Sequence, residues 1–448
     1  MRKTALAVAV GGLFIAPAAQ AQIVFGNEQL GTLQLYGKLY PQFSYATSKD
    51  PTGVGTSVST LVSPTTGLCG SSGSTGGCGT TTPGPRRAVD TQNSYIGFRG
   101  ERNISPGLKF IWQIEQAVNF DTGDATWSNR NSFLGARTRF GTVKLGNMDT
   151  IYKEYGDPFQ MFGISSGNFV SASNMLSHIG VGRNNTARFH ERKANSIQYE
   201  TPQFAGFTAG YQYSPDEARD TQNGAPSTTP SPALIDPQGG SITTAPTCSA
   251  GSCGRDASLH SYGVKWDSRM FYASVHQEIH NDFFGGSNNV SSSLSNANTQ
   301  GAHSRDTGTR FSGEFRYAEN GRVTLDISRL KYTERGQAVG VRFQEYRHNT
   351  WAVGVDQGFG AWRVAAQYVR GNEGSCSLTG ATSCSTTGLT GWMLNAGVRW
   401  RFDRQTFIYA IASKLNNGAS TRYDNWAAAD PARGADIYQT AVGLSYVF

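Results

Sequence analysis

Residues 392–402 read Trp-Met-Leu-Asn-Ala-Gly-Val-Arg-Trp-Arg-Phe. Every second position, Trp392, Leu394, Ala396, Val398, Trp400 and Phe402, is apolar or aromatic, while Asn395, Arg399 and Arg401 lie between them. A side-chain period of two marks a strand with one apolar and one polar face. The same alternation begins at Leu33, where Leu33, Leu35, Gly37, Leu39 and Phe43 oppose Gln34, Tyr36, Lys38, Tyr40, Gln42 and Ser44. It returns at Leu108, Phe110, Trp112, Ile114, Val118 and Phe120 against Lys109, Gln113, Glu115, Asn119 and Asp121, and again at Tyr438, Val442, Leu444, Tyr446 and Phe448.

A soluble sandwich could also show this pattern, with the apolar face as its core. Two features argue against that reading. The polar face repeatedly carries full charges, and the strands run to about 10 residues, the length a tilted strand needs to cross a bilayer. Aromatics such as Trp112, Trp400, Phe402, Tyr446 and Phe448 gather near the strand ends on the apolar face, where a membrane boundary would place them.

The connections between strands alternate in length. Short turns fall at 104–107, 140–141, 203–206, 266–269, 319–321, 358–361 and 403–404. Long Gly/Ser/Thr/Asn-rich stretches fall at about 49–86, 123–129, 151–190, 217–256, 282–305, 334–345, 372–388 and 417–434. Fifteen connections make sixteen strands. The predicted class is all-β: a 16-stranded antiparallel transmembrane barrel with short periplasmic turns and long extracellular loops. Closure is required, because an open sheet edge in lipid would leave backbone donors and acceptors unpaired.

Composition agrees. The 448 residues are 16% charged and 11% aromatic and include 54 Gly, a mixture unlike a soluble helical protein. With 19 Tyr, 24 Phe and 8 Trp the chain is not of a disordered type. Beyond residue 21 no apolar run approaches the ~18 residues of a spanning helix. Arg2 and Lys3, the apolar run from Thr4 to Pro17, and Ala19-Gln20-Ala21 read as a cleaved signal peptide over 1–21, leaving one domain over 22–448. Removing Arg2 and Lys3 leaves 37 basic and 32 acidic residues, net +5, with no basic run that would suggest nucleic acid.

The six cysteines form three close pairs, each in a long loop: Cys69 and Cys78, Cys248 and Cys253, Cys376 and Cys384. Export favours three local disulfides. A thiolate metal site is the alternative, although no pair has a histidine at zinc-site spacing.

Taken in order, several segments resemble the Gram-negative general porins, specifically the trimeric sixteen-stranded family of beta-proteobacteria. They are Leu35-Tyr36-Gly37-Lys38, Ser94-Tyr95-Ile96-Gly97-Phe98-Arg99-Gly100, Gly107-Leu108-Lys109 and Arg130-Asn131-Ser132-Phe133-Leu134-Gly135. Phe140-Gly141-Thr142-Val143-Lys144-Leu145-Gly146, Asn195-Ser196-Ile197-Gln198-Tyr199, Pro202-Gln203-Phe204-Ala205-Gly206-Phe207 and the final Phe448 complete the set. The resemblance implies that the third loop, about 151–190, folds into the pore and sets acidic groups against a basic ladder on the wall. Lys38, Arg130 and Arg183 or Arg192 match the basic side, Arg99 lies four residues beyond Tyr95 and faces the same way, and the acidic candidates are Glu154 and Asp157 in the loop and the lumen-facing Glu115. The usual Pro-Glu-Phe-Gly-Gly run of that loop reads Asp157-Pro158-Phe159-Gln160 here. Tyr95 stands where many relatives carry a lumen arginine, and Asn147 replaces an arginine associated with subunit contacts. Phe448 matches the residue used in membrane insertion. The resemblance also implies a homotrimer in a Gram-negative outer membrane, in contact with lipid and lipopolysaccharide and without cofactor or resident metal.

Opposite charges facing each other across a constriction orient polar solutes and exclude apolar ones. Lumen-facing Lys38, Arg99, Arg130, Arg316, Arg399 and Arg401 outnumber lumen acids such as Glu115 and Asp326, so the expected activity is passive diffusion of small hydrophilic solutes and ions with a weak anion preference. A substrate-selective sugar or anion channel is the alternative, although Tyr36, Tyr40, Tyr95 and Tyr272 are too dispersed for an aromatic slide. A barrel enzyme or adhesin is a further alternative; His276, Glu278 and His280 share one strand face, but neither His-Glu-x-x-His nor Gly-x-Ser-x-Gly occurs. The chain is read as a non-enzyme.

Overall fold

In a computed structural model the described residues are 23–27, 31–70, 84–91, 93–119, 128–182, 188–215, 257–283, 285–296, 301–317, 320–381, 383–424 and 431–448, with positions 78, 121–122, 234–235, 241–242 and 299. The signal peptide expected over 1–21 lies outside them.

Sixteen strands close into one antiparallel barrel. Strand β1 runs in two pieces, Gly31–Leu39 and Gln42–Lys49, and β2 likewise, Arg86–Asp90 and Tyr95–Ser105. Then follow β3 Leu108–Ala117, β4 Ser132–Thr138, β5 Gly141–Asp149, β6 Arg192–Glu200, β7 Phe207–Pro215 and β8 Ser258–Asp267. Strands β9 Phe271–Asn281, β10 His303–Tyr317, β11 Gly321–Arg335 and β12 Arg342–Phe359 come next. The last four are β13 Trp362–Gly371, β14 Gly391–Arg401, β15 Thr406–Asn417 and β16 Asp436–Val447. A short strand, Ser375–Thr379, adds to the loop end of β12.

Each strand pairs with its sequence neighbours, as hairpin connections dictate. Closure joins first to last: β16 pairs along β1 from Gly443↔Gln42 to Asp436↔Lys49, and Leu39↔Tyr446 and Lys38↔Val447 continue the seam. At its end Gly37 N donates to Phe448 O at 2.8 Å and Phe448 N to Gly37 O at 3.0 Å. Phe448 therefore completes the ladder, and its ring stacks on Tyr446. Pro41, which has no N–H, lies in the break of β1. The break stays satisfied because Ser94 Oγ accepts from Tyr40 N and Pro41 O accepts from Leu444 N.

The two faces are the reverse of a soluble protein's. Leu134 is 60% exposed and Val442 63%, whereas Asn395, Ser312 and Arg310 are buried inside the barrel. Apolar side chains face outward and polar ones inward over 323–328 of β11 and 394–399 of β14, in the phase the alternation sets, while nearer the loops Leu330, Tyr332 and Met393 are buried inside.

Cys69 and Cys78 are bonded with Cα atoms 5.5 Å apart, and Cys376 and Cys384 with Cα atoms 5.6 Å apart. Cys248 and Cys253 lie outside the described residues. The first and seventh loops also dock together: Ser59 Oγ donates to Ser385 O at 2.6 Å and Thr60 N to the same oxygen at 3.0 Å.

Candidate functional site

The described parts of the third loop, 150–182 and 188–191, lie within the barrel. The loop opens on a short helix, α1 Ile151–Tyr155, capped by Thr150, whose side chain accepts from Lys153 N. A 3₁₀ turn at Met161–Gly163 and a helical turn, α2 Ser173–Leu176, follow. Ile151, Tyr152, Phe159, Met161, Ile164 and Val170 are all buried, against wall residues such as Tyr40, Ala365, Phe407 and Ile411 for the middle of the loop.

Polar wall residues hold this loop by its carbonyl oxygens. Tyr272 Oη and Ser274 Oγ both donate to Tyr155 O, at 2.5 and 2.9 Å. Arg322 donates to Pro158 O at 3.1 Å and Gln160 O at 3.2 Å. Lys38 Nζ donates to Gly163 O, Asn93 Nδ2 to Ser166 O at 2.6 Å, and Asn395 Nδ2 to Val170 O at 3.0 Å. A loop inside a barrel leaves its backbone acceptors without strand partners, so polar lumen side chains must supply the donors. Two glycines make room: a Cβ on Gly354 would meet the Phe159 ring at 2.7 Å, and one on Gly397 would meet Phe162 at 2.8 Å and Met161 Sδ at 2.9 Å. Phe162 itself is held at φ 52°, an uncommon backbone conformation for a side chain of its size.

The basic candidates divide by partner. Arg130 is buried, with Nε on Glu115 Oε1 at 2.6 Å, Nη1 on Asn93 Oδ1, and its guanidinium 4.7 Å from the Tyr95 ring. Glu115 also accepts from Tyr36 Oη at 3.0 Å. Arg192 pairs with Asp149 at 3.0 Å and donates to Asn131 at 2.9 Å. Arg99 donates only to Gln34 Oε1, at 2.5 Å, and covers the Tyr36 ring; no carboxylate pairs with it among the described residues. Arg183 lies outside the described residues.

Among the acidic candidates, Glu115 stands with Arg130 on the basic wall. Glu154 accepts from Gln198 Nε2 at 3.3 Å, beside β6. Asp157 is buried, with both carboxylate oxygens unpartnered, in the electrostatic reach of Arg310, Asp326, Arg322 and Lys153. The loop acids thus meet β6, β10 and β11, while Arg130 pairs with Glu115 on its own wall, Lys38 bonds the Gly163 carbonyl and Arg99 bonds Gln34. The alternation missed Arg322, the principal tether of the loop, although it shares an inward face with the expected Asp326.

Burial pushes the Asp157 carboxyl up to about 7, ahead of the opposing pull of Arg310. A carboxyl raised above its unfolded value of 3.8 gives its full contribution below that value and loses it as pH rises through about 7. Burial raises Glu154 as well, which acts in the same sense, while buried His190 is lowered and acts in the opposite one. The contribution of Asp157 is therefore read as a difference. Between pH 5 and 8, wild type should lose urea stability relative to Asp157→Asn; parallel curves would contradict the assignment.

His276, Glu278 and His280 are buried in the wall. His280 Nε2 meets Glu278 Oε1 at 3.0 Å, His276 packs edge-on to Tyr152 at 4.9 Å, and His280 stacks on Phe189 at 4.8 Å. These contacts dock the ends of the third loop and explain the residues without a reaction.

A family model described as Gram-negative porin matches residues 4–448. Major outer membrane protein P.IB of Neisseria lactamica is 35% identical over 124 residues, which cover 28% of this chain and 34% of that protein. Major outer membrane protein P.IA of Neisseria meningitidis serogroup B is 31% identical over 131 residues, covering 29% and 30%. The matched stretch thus spans about a third of the length of these curated relatives. Among solved structures, the anion-selective porin from Comamonas acidovorans superposes with a TM-score of 0.59 at 16% identity, over 93% of this chain and 100% of that one. Salmonella typhi OmpF in complex with daunomycin gives 0.51 at 15% identity, over 95% and 100%. At such identities the likeness establishes the fold.

Proposed function

The chain belongs to the Gram-negative porin family, and from that premise we propose that it forms a water-filled channel for passive diffusion of small hydrophilic solutes and ions across the outer membrane. The observation that carries this reading is the inversion of faces: leucine, valine and phenylalanine outside, and rows of arginine, aspartate, glutamine and serine inside a closed barrel. An interior of that kind hydrates, and its buried loop backbone is tolerated where it lines a polar cavity.

The same reading includes a homotrimer, lipid and lipopolysaccharide contact on the outer face, and removal of residues 1–21. A weak anion preference rests on lumen charge. Most inward carboxylates, including Glu115, Asp149 and Asp326, are bound to arginines, while Arg99 has no acidic partner among the described residues. The tyrosines that a sugar slide would use are engaged elsewhere, Tyr36 by Glu115 and Tyr272 by the loop backbone.

Liposome swelling tests the reading. Vesicles holding purified protein should swell at rates that fall smoothly as neutral solutes increase in size, without saturation. Swelling by one solute class alone would replace general diffusion with a selective channel.

A further inference from the structure

We propose that the turn-side half of the lumen holds a small-oxyanion binding site centred on Arg399, separate from the Lys38, Arg99 and Arg130 wall. This deepens the anion preference of the proposed channel and rests on that reading for its physiological meaning.

A continuous row of ion pairs crosses β10 to β13. Arg316 binds Asp267 at 2.8 Å and Glu314 at 2.5 Å, and Glu314 binds Arg322 at 3.2 Å. Arg322 in turn binds Asp356 at 3.0 Å, and Asp356 binds Arg363. Arg399 faces Arg363 directly across the β13–β14 ladder, and Arg401 follows on the same inward face. The charges acting on Arg399 are Arg363, Asp356, Arg401 and Arg322. Five guanidiniums thus stand against the three carboxylates Asp267, Glu314 and Asp356, a local excess of two positive charges.

Arg399 and Arg401 are the members left over, and of the two Arg399 is the less exposed. No carboxylate lies within ion-pairing distance of it among the described residues, and its Nε is buried without an acceptor. Aromatic faces cover its guanidinium, Phe407 at 4.9 Å and Phe162 of the third loop at 5.7 Å. A guanidinium steadied by rings keeps its planar fork of donors for a ligand with two coplanar oxygens. An unpaired cation in a partly desolvated place is costly, and a bound anion relieves that cost. Gly397, two residues earlier, receives Met161 and Phe162, so the site lies immediately on the turn side of the loop tip. The ligand class is a small oxyanion, carboxylate or phosphate, approaching from the turn-side mouth.

The experiment uses full-length protein folded in detergent. Line broadening of inorganic phosphate (phosphorus NMR) and of acetate (carbon NMR) is titrated for wild type, Arg399→Gln and Asp356→Asn. Wild type should broaden at least one of the two anions, which also tells phosphate from carboxylate as the preferred ligand. Arg399→Gln should weaken that binding at least about tenfold, the scale of one lost charged hydrogen-bond partner. Asp356→Asn leaves Arg322 and Arg363 short of a counter-charge and should tighten binding several-fold, a gain that misfolding cannot imitate. Failure of wild type to broaden either anion, Arg399→Gln broadening equal to wild type, or Asp356→Asn without tightening would each overturn the site. Because NMR reports binding without conduction, a site that fails here is distinguishable from a channel that fails in a bilayer.

Discussion

Replacing Asp326 by alanine is expected to destabilise the barrel by about 3–5 kcal/mol, the cost of leaving a buried charge without its partner. Arg310 is fully buried, and its Nε and Nη2 both reach Asp326 Oδ1, at 3.1 and 2.8 Å. Ser312 Oγ adds a third donor to the same oxygen at 2.5 Å. The pair lies where α1 of the third loop meets the wall, with Tyr152 against His276 nearby and Asp157 within electrostatic reach. Without Asp326 the guanidinium has no carboxylate bonded to it, and Asp157 remains only within electrostatic reach. A double variant, Arg310→Met with Asp326→Leu, should recover most of the loss, because two apolar groups carry no unmet charge. Urea unfolding followed by tryptophan fluorescence checks both. A loss below about 1 kcal/mol for the single variant would show that lumen water solvates the arginine.

Breaking a second buried pair, Arg130 with Glu115, should change which ions pass. Glu115→Gln leaves Arg130 with Asn93 and the Tyr95 ring but with no carboxylate bonded to it. Charges lining a low-dielectric constriction act on permeating ions with little screening. The anion-to-cation permeability ratio should therefore rise, by roughly threefold on the scale of one uncompensated lumen charge. Arg130→Gln should shift it the other way. Reversal potentials in a salt gradient read both signs, and equal potentials in the two variants would remove this pair from the selectivity filter.

The barrel was legible because two constraints act along the whole chain. The period of two at 392–402 sets the faces, and the turn at 403–404 begins where that strand ends. The third loop, expected over about 151–190, spans the interval between Asp149 and Arg192. Two local disulfides follow from cysteines close in sequence within one loop. The site was less legible, because alternation tells which way Lys38 points but not that Gly163 O will meet it. Asp157 shows the same limit: its destination beside Arg310 depends on how a 40-residue segment crosses the interior. Arg399 was expected inside, yet its lack of an acidic partner is a property of β10 to β14 together. Arg322 could have been found from sequence, since Arg322, Thr324 and Asp326 keep the inward phase of β11.

The central claim is that the closed barrel surrounds an aqueous path, and planar-bilayer conductance of the purified protein tests it most directly. The account predicts stepwise insertion of channels with ohmic current in salt, reversal potentials weakly favouring anions, and closures grouped in threes. Correctly folded protein that inserts and carries no current would contradict it.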